Sequence, residues 1–536
     1  MATSLSSHFS LETPESKATH FPHWYSPETG IYSSKHSSIP LPTDPFLDVV
    51  SFLFTHQHDG LTALIDPSSG FSLPYSKLLP FVQSMASGLH HLGVSQGDVV
   101  LLLLPNSVHF PIIFLSVLYL GAVVSTMNPL SSMFEIKKQI SHCSVRFAFT
   151  SLDKSKQLQN LGVHAIGVPE NIDLGSENIG FSPFHKLIRG RFGEAPRPVI
   201  RQQDTAAIMY SSGTTGVSKG VVLTHGNLIA MVELFVKFEA SQYKYPSSKN
   251  VYLAVVPMFH IYGLSLFVVG LLSLGTTIVI MRRFDAGEAA KLIDEYGVTH
   301  FPVVPPMLAT LTTRAKGACG NSFKSLKQIS CGAAPVSRKL IDDFHQVLPH
   351  VDFIQGYGMT ETTAVGTRGY NTQEFQKYSS IGLLAPNMQA KVVDWTSGSS
   401  LPPGYCGELW LRGPAIMQRY LNNVEATKMT IDEDGWLRTG DIIAPADLEA
   451  ILISHPEILD VAVTAESDEV FGEIPVAFVV RRHGSRLTEE AVKDFVAKQV
   501  APYKKIRKVE FISSIPKSAA GKILRRELRK LLNCRL

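Results

Sequence analysis

The sequence predicts an α/β protein. We expect a large N-terminal domain of two βα-layered sheets plus a small β unit, followed by a small α+β C-terminal domain. Three observations lead to this prediction. The chain of 536 residues is longer than a domain with a single hydrophobic core usually is. Apolar strand-like and helix-like segments alternate through two long stretches, and the residue composition changes twice toward the C-terminus.

The first βα layer begins near Ser84. Strand-like segments without apolar–polar alternation, joined by helical crossovers, indicate a parallel sheet buried on both faces. The segments are, in order, SMASGLHHLG, VVLLLL, an apolar helix from Phe110, AVVST, FEIKKQISHC and VRFAFT. The same order returns between Tyr252 and Ile354, which predicts a second layer. Its strands are YLAVV, TTIVIM, HFPVV, KQISC and VDFI.

Two smaller units are expected after these layers. Short strands rich in Gly and Pro, such as QAKVVD and GELWLRG, predict a β unit over about 381–441 that completes a large domain of residues 1–441. Residues 442–536 show the order helix, strand, strand, helix, strand, helix, which predicts a compact α+β domain.

Composition excludes several classes of protein. The net charge of +3 gives no long-range field of one sign, so nucleic acid is not an expected partner. The five scattered cysteines form no CxxC pair, which argues against a zinc site and favours a reducing compartment. The N-terminus lacks the apolar core of a signal peptide, and we expect a disordered start without a cleaved leader.

Two apolar runs, residues 110–126 and 264–281, could suggest membrane spans. Each contains an internal Gly and ends in a β-branched tail. This pattern favours a buried helix that turns into a buried strand, so we expect no transmembrane segment.

The strongest local signal is the segment YSSGTTGVSKG, from Tyr210 to Gly220, which directly follows the strand-like TAAIM. Its glycines let backbone N–H groups turn inward, its hydroxyls add donors, and Lys219 adds a mobile positive charge. The segment therefore predicts a triphosphate cradle rather than a plain Ser/Gly surface loop. It is not a P-loop, because Gly and not Ser or Thr follows the lysine.

A second motif, QGYGMTET from Gln355 to Thr362, follows the strand VDFI. Open α/β sheets bind ligands at the carboxyl ends of their strands, where this motif lies. Tyr357 could stack on an adenine ring, and Glu361 could hold a Mg²⁺ ion that bridges phosphates. Taken alone the octapeptide could also be an ordinary turn.

Six ordered motifs together resemble the adenylate-forming superfamily, and most closely the plant 4-coumarate–CoA ligases and 4-coumarate–CoA ligase-like enzymes. The resemblance covers nearly the whole chain. The further motifs are PMFHIYG (257–263), CGAAP (331–335), RTGD (438–441) and PKSAAGK (516–522). The resemblance implies ATP, Mg²⁺ and coenzyme A as cofactor and co-substrates, with a small-molecule carboxylic acid as the substrate.

The resemblance also implies a role for each matching residue. Asp441 is expected to grip the ribose hydroxyls, and Lys522 to reach the attacking carboxylate and the α-phosphate. His260 is expected to gate the acyl pocket, Tyr262 and Ala333 to line it, and Arg283 to contact CoA where the ligases have a lysine. Lys522, His260 and Lys219 are the catalytic candidates, and Glu361 and Thr215 the metal ligands. The ATP and AMP contacts are Ser211, Ser212, Gly213, Thr214, Thr215, Lys219, Gln355, Gly356, Tyr357, Thr360 and Asp441.

The resemblance is interrupted after Asp441. There the ligases have an aromatic-rich strand pair, a hinge residue, an Arg that contacts ribose and a loop of the form RLKELIKYKG. This chain instead passes from RTGDI directly to IAPADLEA. We interpret the gap as an omitted exon or gene-model error rather than a functional redesign. Domains that rotate need a linker that absorbs large changes in φ and ψ, and this linker is missing.

The implied activity is an ATP-dependent carboxylate–CoA ligase. The acid attacks the α-phosphate to give acyl-AMP and diphosphate, and the CoA thiol then displaces AMP. Similar enzymes act on hydroxycinnamates and on fatty or oxylipin acids, and the sequence does not choose between these classes. An adenylating enzyme with another acceptor, a hinge-deleted adenylate-binding or interaction protein, and a membrane transporter are the other functions considered.

The last three residues, Cys534-Arg535-Leu536, fit the small, basic, Leu pattern of peroxisomal import signals. They predict binding to the import receptor and a peroxisomal location. The cytoplasm is the alternative, in which these residues are only the end of a basic helix.

Overall fold

The computed structural model describes most of the chain. The described residues are 22–170, 182–190, 192–211, 218–242, 246–317, 323–369, 378, 380–394, 397–443, 452, 455–468, 472–497, 506, 508–517, 527–528 and 531.

Within these residues the strands follow one another in this order: β1 (Tyr25–Ser26), β2 (Ile31–Ser33), β3 (Thr62–Asp66), β4 (Phe71–Pro74), β5 (Val99–Leu103), β6 (Val123–Thr126), β7 (Phe147–Ser151), β8 (His164–Val168), β9 (Thr205–Ser211), β10 (Lys219–Thr224), β11 (Val251–Ala254), β12 (Thr277–Ile280), β13 (His300–Val303), β14 (Gln328–Cys331), β15 (Asp352–Tyr357), β16 (Thr367–Arg368), β17 (Leu383–Leu384), β18 (Gln389–Val393), β19 (Gly407–Arg412), β20 (Arg419–Tyr420), β21 (Leu437–Ile443), β22 (Ile458–Asp468), β23 (Gly472–Arg481) and β24 (Lys508–Phe511).

The α-helices of the same residues are α1 (Val49–Thr55), α2 (Tyr75–His91), α3 (His109–Tyr119), α4 (Met133–Cys143), α5 (Leu152–Gln159), α6 (Pro183–Arg189), α7 (His225–Met231), α8 (Phe238–Ser241), α9 (Ile261–Gly263), α10 (Ala286–Tyr296), α11 (Pro305–Lys316), α12 (Arg338–Val347), α13 (Val424–Thr430) and α14 (Glu489–Ala497). Two π-helical segments, Val232–Lys237 and Leu264–Gly270, and three 3₁₀ segments, Ser247–Lys249, Leu271–Leu274 and Thr360–Thr362, accompany them.

The first predicted layer is a seven-stranded sheet in the order β20-β10-β9-β6-β5-β7-β8. Its strands β9, β6, β5, β7 and β8 run parallel. β5 is a run of Val and Leu that is almost wholly buried, because helices cover both faces of a parallel sheet. The sheet therefore confirms the parallel layer that the sequence predicts.

The second layer is a nine-stranded sheet in the order β17-β16-β15-β14-β13-β11-β12-β3-β4. All five predicted strands lie in it as parallel neighbours. The hairpin of β3 and β4 extends one edge, and the antiparallel strands β16 and β17 extend the other. β15 continues three residues beyond VDFI to Tyr357, which brings the second motif onto the end of a strand.

Both apolar runs turn from helix into strand, as predicted. Residues 110–126 form most of α3 and then β6, and every residue from His109 to Leu118 is buried. Residues 264–281 differ from the predicted α-helix, because they form a π-helix followed by a 3₁₀ segment before β12 begins. Within the described part of the chain, none of the helices combines the length and the apolar character that a membrane span needs.

The small β unit is a five-stranded sheet in the order β1-β2-β18-β19-β21. Two of its strands come from the N-terminal part of the chain, outside the predicted range of about 381–441. β2 pairs with β18, and the side chain of Asn387 accepts a hydrogen bond from Ile39 N at 2.9 Å. β21 stays paired with β19 through Ile443, two residues beyond the expected end of the large domain.

The C-terminal part contains a three-stranded sheet in the order β22-β23-β24 with α14 beside it. β22 and β23 are antiparallel, and β23 and β24 are parallel. These elements match the predicted strand, strand, helix, strand order. Most of the first and last predicted helices lie outside the described residues.

Candidate active site

The glycine-rich motif is the tip of a hairpin between β9 and β10, where Ser211 lies opposite Lys219. Ser218 donates its hydroxyl to the carbonyl oxygen of Ser211 at 2.9 Å. The hydroxyl oxygen of Ser211 is buried and has no hydrogen-bond partner within the described residues, so a polar ligand group beside it would be stabilising. Four predicted ATP contacts lie in the tip and outside the described residues: Ser212, Gly213, Thr214 and Thr215.

Tyr210 anchors the base of this hairpin. Its hydroxyl lies 2.5 Å from Nδ1 of His142 and 3.2 Å from the thiol of Cys143, both at the end of α4. Burial raises the pKa of Tyr210, so the phenol stays protonated. These contacts fix the first residue of the motif to the end of α4.

Lys219, Tyr420 and Glu361 form a cluster beside the hairpin. The ammonium nitrogen of Lys219 lies 4.7 Å from the centroid of the Tyr420 ring, which is a cation–π contact. The Tyr420 hydroxyl donates to Oε1 of Glu361 at 2.9 Å. Tyr420 was not found by the sequence analysis. Its contacts bring the predicted phosphate-binding lysine and the predicted metal ligand to one place.

The carboxyl end of β15 carries the predicted adenylate contacts. The side chain of Gln355 is buried and donates to the carbonyl oxygen of Tyr378 at 2.6 Å. The Tyr357 hydroxyl donates to Oδ2 of Asp441 at 2.8 Å. Burial raises the pKa of Tyr357 well above its usual value, and the Asp441 carboxylate adds to the rise. This hydrogen bond joins two motifs that lie 84 residues apart.

The turn after β15 has a constrained backbone. Thr363 and Ala364 have φ of +52° and +64°, in the left-handed region that residues with a Cβ rarely adopt. Thr360 begins the 3₁₀ turn before them. The Glu361 carbonyl accepts the backbone N–H of Met417 at 2.8 Å, and the Thr363 hydroxyl donates to the carbonyl of Ala415 at 2.7 Å. These bonds hold the strained turn and so position Glu361.

The predicted acyl-pocket residues lie near the carboxyl end of β14. The Tyr262 hydroxyl donates to the Ser330 carbonyl at 3.3 Å, and burial raises the pKa of Tyr262 to about 12. A Cβ placed on Gly332 would lie 3.7 Å from the Tyr262 ring and 3.6 Å from the carbonyl oxygen of Gly356. Ala333, two residues after β14, is exposed and has a φ of +68°.

For His260, Arg283 and Lys522 the described part of the structure shows no contact with the other predicted site residues. His260 lies just before α9 and is exposed, while desolvation by neighbouring residues lowers its pKa. Arg283 is exposed after β12, and none of the described contacts ties it to the cluster. Lys522 lies outside the described residues, so its approach to the site stays a prediction.

Two models of known protein families match this chain. The model of the AMP-binding enzyme matches residues 54–421, and that of the AMP-binding enzyme C-terminal domain matches residues 447–522. The chain belongs to the AMP-binding, adenylate-forming enzyme family. This confirms the resemblance on which the residue roles rest.

The most similar relatives of this adenylate-forming enzyme include plant CoA ligase-like proteins. It is 60% identical to 4-coumarate--CoA ligase-like 6 of Arabidopsis thaliana, with 97% of both chains covered. It is 51% identical to 4-coumarate--CoA ligase-like 3 of Oryza sativa subsp. japonica, over 95% of this chain and 93% of the relative. Peroxisomal OPC-8:0-CoA ligase 1 of Arabidopsis thaliana is 40% identical, over 93% and 96%.

Solved structures support the fold of this adenylate-forming enzyme. ATP-bound MatB from Rhodopseudomonas palustris superposes with a TM-score of 0.75 at 22% identity, over 90% of this chain and 98% of that one. The fatty acyl CoA synthetase of Mycobacterium tuberculosis gives 0.69 at 25% identity, over 91% and 98%. Both agree with the α/β architecture of a large N-terminal and a smaller C-terminal part.

The described carboxylates of this adenylate-forming enzyme fit a Mg²⁺ ion that is also bound by the phosphates of the substrate. The described residues contain no group of three His, Cys, Asp or Glu side chains that could hold a metal ion by themselves. Mg²⁺ is typically bound by one or two carboxylates together with substrate phosphates. Glu361, fixed by Tyr420 next to Lys219, fits that role.

Proposed function

We propose that this adenylate-forming enzyme is an ATP-dependent carboxylate–CoA ligase that converts an acid, ATP and CoA into acyl-CoA, AMP and diphosphate through an acyl-AMP. One observation carries the proposal. Lys219 and Glu361, joined through Tyr420, and the Tyr357–Asp441 hydrogen bond lie around the carboxyl end of β15, and Tyr262 contacts the neighbouring strand β14. The groups that we assign to the triphosphate, the nucleoside and the acid are therefore close together.

The nucleotide is held by complementary charges. Lys219 and the hydroxyls of the hairpin tip bind the phosphates, and Asp441 accepts hydrogen bonds from the ribose hydroxyls. Tyr357 stacks on the adenine while its own hydroxyl keeps the Asp441 carboxylate in place. When bound at Glu361 and Thr215, Mg²⁺ supplies charge neutralisation on the phosphates.

The chemistry is mainly positioning and charge stabilisation, since acyl transfer through an adenylate needs no covalent enzyme intermediate. Lys522 neutralises charge where the carboxylate attacks the α-phosphate. The chain donates no proton in this step, and the diphosphate leaves with the electron pair of the broken P–O bond. His260 closes the acyl pocket between the two half-reactions.

The acid is a hydroxycinnamate-like or a fatty or oxylipin acid. The name of the OPC-8:0-CoA ligase favours the second class, and the names of the 4-coumarate–CoA ligase-like relatives favour the first. The same peroxisomal relative supports our proposal that Cys534-Arg535-Leu536 directs the chain to peroxisomes through the import receptor.

A second candidate function is a hinge-deleted adenylate-binding or interaction protein with little ligase activity. The alignment with 4-coumarate--CoA ligase-like 6 runs over 547 residues although it uses 97% of this 536-residue chain, so the relative has residues without counterparts here. The two family models leave residues 422–446 unmatched. Both facts support a missing segment between the proposed domains, residues 1–441 and 442–536.

One experiment separates the two candidates. A panel of carboxylic acids is assayed for diphosphate release and for CoA-thioester formation as separate readouts. The chain is compared with a version that carries a relative's hinge segment after Ile442. We expect acid-dependent diphosphate release from both and a much higher thioester yield from the extended version.

The outcome can contradict either proposal. Absence of diphosphate release from both versions with every acid would rule out the ligase assignment. Equal and substantial thioester yields from the two versions would show that the missing segment is not needed, and the second candidate would then be wrong.

A further inference from the structure

The C-terminal end of α4 contacts two segments beside the phosphate-binding cluster. His142 is the penultimate residue of α4, and its Nδ1 atom lies 2.5 Å from the Tyr210 hydroxyl at the base of the β9–β10 hairpin. Its backbone carbonyl accepts a hydrogen bond from the Asn422 side chain at 3.3 Å. Asn422 comes two residues after Tyr420, whose hydroxyl donates to Glu361. The end of α4 therefore lies between the predicted phosphate-binding hairpin and the segment that holds the predicted metal ligand.

α4 is well anchored, so it can act as a fixed support. At its start, Ser132 and Glu135 form a capping box, in which each side chain accepts the backbone N–H of the other residue. In its middle, the buried Gln139 side chain donates to the Ser125 hydroxyl at 2.9 Å and to the Thr126 carbonyl at 3.1 Å, both in β6. The last turn of α4 therefore has a set position relative to the parallel sheet.

The Tyr210 ring packs against the strand that carries Lys219. Tyr210 lies directly opposite Gly220 in the hairpin. A Cβ placed on Gly220 would lie 3.4 Å from Cζ of the Tyr210 ring and 3.2 Å from Cβ of Leu421. The backbone N–H of Leu421 also donates to the Gly220 carbonyl at 2.7 Å. Because the ring touches the residue next to Lys219, a shift of Tyr210 would displace the backbone that carries the lysine.

Tyr210 also sets the position of the next residue, Ser211. The Ser211 side chain is buried, and its hydroxyl oxygen has no hydrogen-bond partner among the residues that the structure describes. A buried hydroxyl without a partner is costly, and a phosphate oxygen of ATP would supply the missing acceptor. Tyr210 therefore connects an anchored helix to a group that needs a ligand.

The Tyr210 hydroxyl can satisfy both of its neighbours on α4. Burial raises the pKa of Tyr210, so the phenol keeps its proton. Burial also raises the pKa of the Cys143 thiol, which lies 3.2 Å from the same hydroxyl. A phenol can donate one hydrogen bond and accept another, so it can engage His142 and Cys143 together. The reaction steps proposed above use none of these three side chains, and their contacts support a role in positioning.

We propose that His142 is a positioning residue for the bound triphosphate. Its imidazole holds the Tyr210 hydroxyl, and Tyr210 in turn holds the base of the hairpin from which Ser211 and Lys219 reach the phosphates. The nucleoside contacts that we propose at the end of β15 have a hydrogen bond of their own that does not involve α4. The inference rests on the proposed function, since that function assigns ATP to this site.

Calorimetric titrations of ATP and of AMP, each in excess Mg²⁺, test this role. His142→Leu removes the ring nitrogen and should weaken ATP binding about 3- to 10-fold, the effect of one lost hydrogen bond. AMP affinity should change less than about twofold, because AMP lacks the β- and γ-phosphates that the hairpin binds. His142→Asn should restore most of the ATP affinity, since its amide group lies where Nδ1 lies and can donate or accept.

Two further variants separate positioning from general stability. His90→Leu makes the same change at the penultimate residue of α2, where the side chain is exposed, and should leave both affinities as they are. Tyr210→Phe should weaken ATP binding as His142→Leu does. Adding His142→Leu to Tyr210→Phe should then have little further effect, because His142 acts through the Tyr210 hydroxyl.

Several results would overturn the inference. An unchanged ATP affinity in a folded His142→Leu chain, or an equal loss for ATP and AMP, shows that His142 does not position the triphosphate. If His142→Asn fails to restore ATP affinity, the hydrogen bond is not the cause. If His142→Leu does not fold, Tyr210→Phe decides, and an unchanged ATP affinity there overturns the inference.

The ligase assignment is tested separately by diphosphate release from the unaltered chain. A chain that shows the expected ATP and AMP affinities but releases no diphosphate with any acid keeps the role of His142 and overturns the ligase function. A chain that releases diphosphate but shows no difference between ATP and AMP in His142→Leu overturns the inference alone.

Discussion

Tyr420→Phe tests how Glu361 is positioned. The change removes one hydroxyl and keeps the aromatic ring that lies 4.7 Å from the Lys219 ammonium. Tyr420 and Glu361 are each 4% exposed, so their 2.9 Å hydrogen bond is a buried bond to a charged group. Such a bond contributes about 1.5–3 kcal/mol. The Glu361 backbone is still held by Met417, so the loss falls on the carboxylate.

The expected effect follows from the role of that carboxylate. If Glu361 binds Mg²⁺ together with the phosphates, its loss of orientation should weaken ATP binding in the presence of Mg²⁺ by about 10- to 100-fold. ATP binding in a chelator should change much less, because the Lys219 contact remains. Calorimetric titration of ATP in excess Mg²⁺ and in chelator measures both affinities.

A double-mutant cycle provides the control. Glu361→Gln removes the charge, and adding Tyr420→Phe to it should then have little further effect on ATP affinity, since Tyr420 acts through Glu361. If Tyr420→Phe lowers the affinity equally with and without Mg²⁺, or adds its full effect on top of Glu361→Gln, our account of this cluster is wrong.

Four further predictions follow from the structure. Lys219→Ala should weaken ATP binding at least about tenfold in calorimetry, and an unchanged affinity would contradict the cradle assignment. Tyr357→Phe keeps the stacking ring but removes its hydrogen bond to Asp441, so AMP affinity should fall about tenfold while adenine affinity hardly changes. Burial lowers the pKa of His225 from 6.5 to about 4, so between these pH values the unfolded chain binds a proton that the folded chain does not. The thermal midpoint should therefore fall as the pH drops from about 6.5 to 4, and it should fall less in His225→Asn. A fluorescent fusion ending in Cys534-Arg535-Leu536 should enter peroxisomes, and one lacking these three residues should stay in the cytosol.

The sheets were predictable because their strands are local patterns. Two examples are the apolar runs TTIVIM and VDFI, which form β12 and the start of β15. Such runs can be recognised as buried strands without knowing which strands lie beside them. The pairing of β2 with β18 was not predictable in this way. Their partners lie more than 350 residues apart, and β2 is only three residues long. The π-helical segment Leu264–Gly270 has the same continuous apolar sequence that a buried α-helix would have. The sequence therefore predicts an ordinary helix there.

The site was predictable where a residue belongs to a motif. Lys219, Glu361 and Asp441 were named from such motifs, and the structure shows each in contact with another site residue. Tyr420 was missed because its role depends on Glu361, 59 residues away.

The pairing of the N-terminal strands with β18 has a consequence for synthesis of the chain. β1 and β2 leave the ribosome first, yet their partner strand is complete only at Val393. At about 5–20 residues per second, roughly 20 to 70 s pass between the two events. The five-stranded sheet that carries Asp441 is thus the last sheet of the large domain to close. The nascent chain acquires Asp441, the carboxylate that we propose binds ribose, only after both parallel layers have been translated.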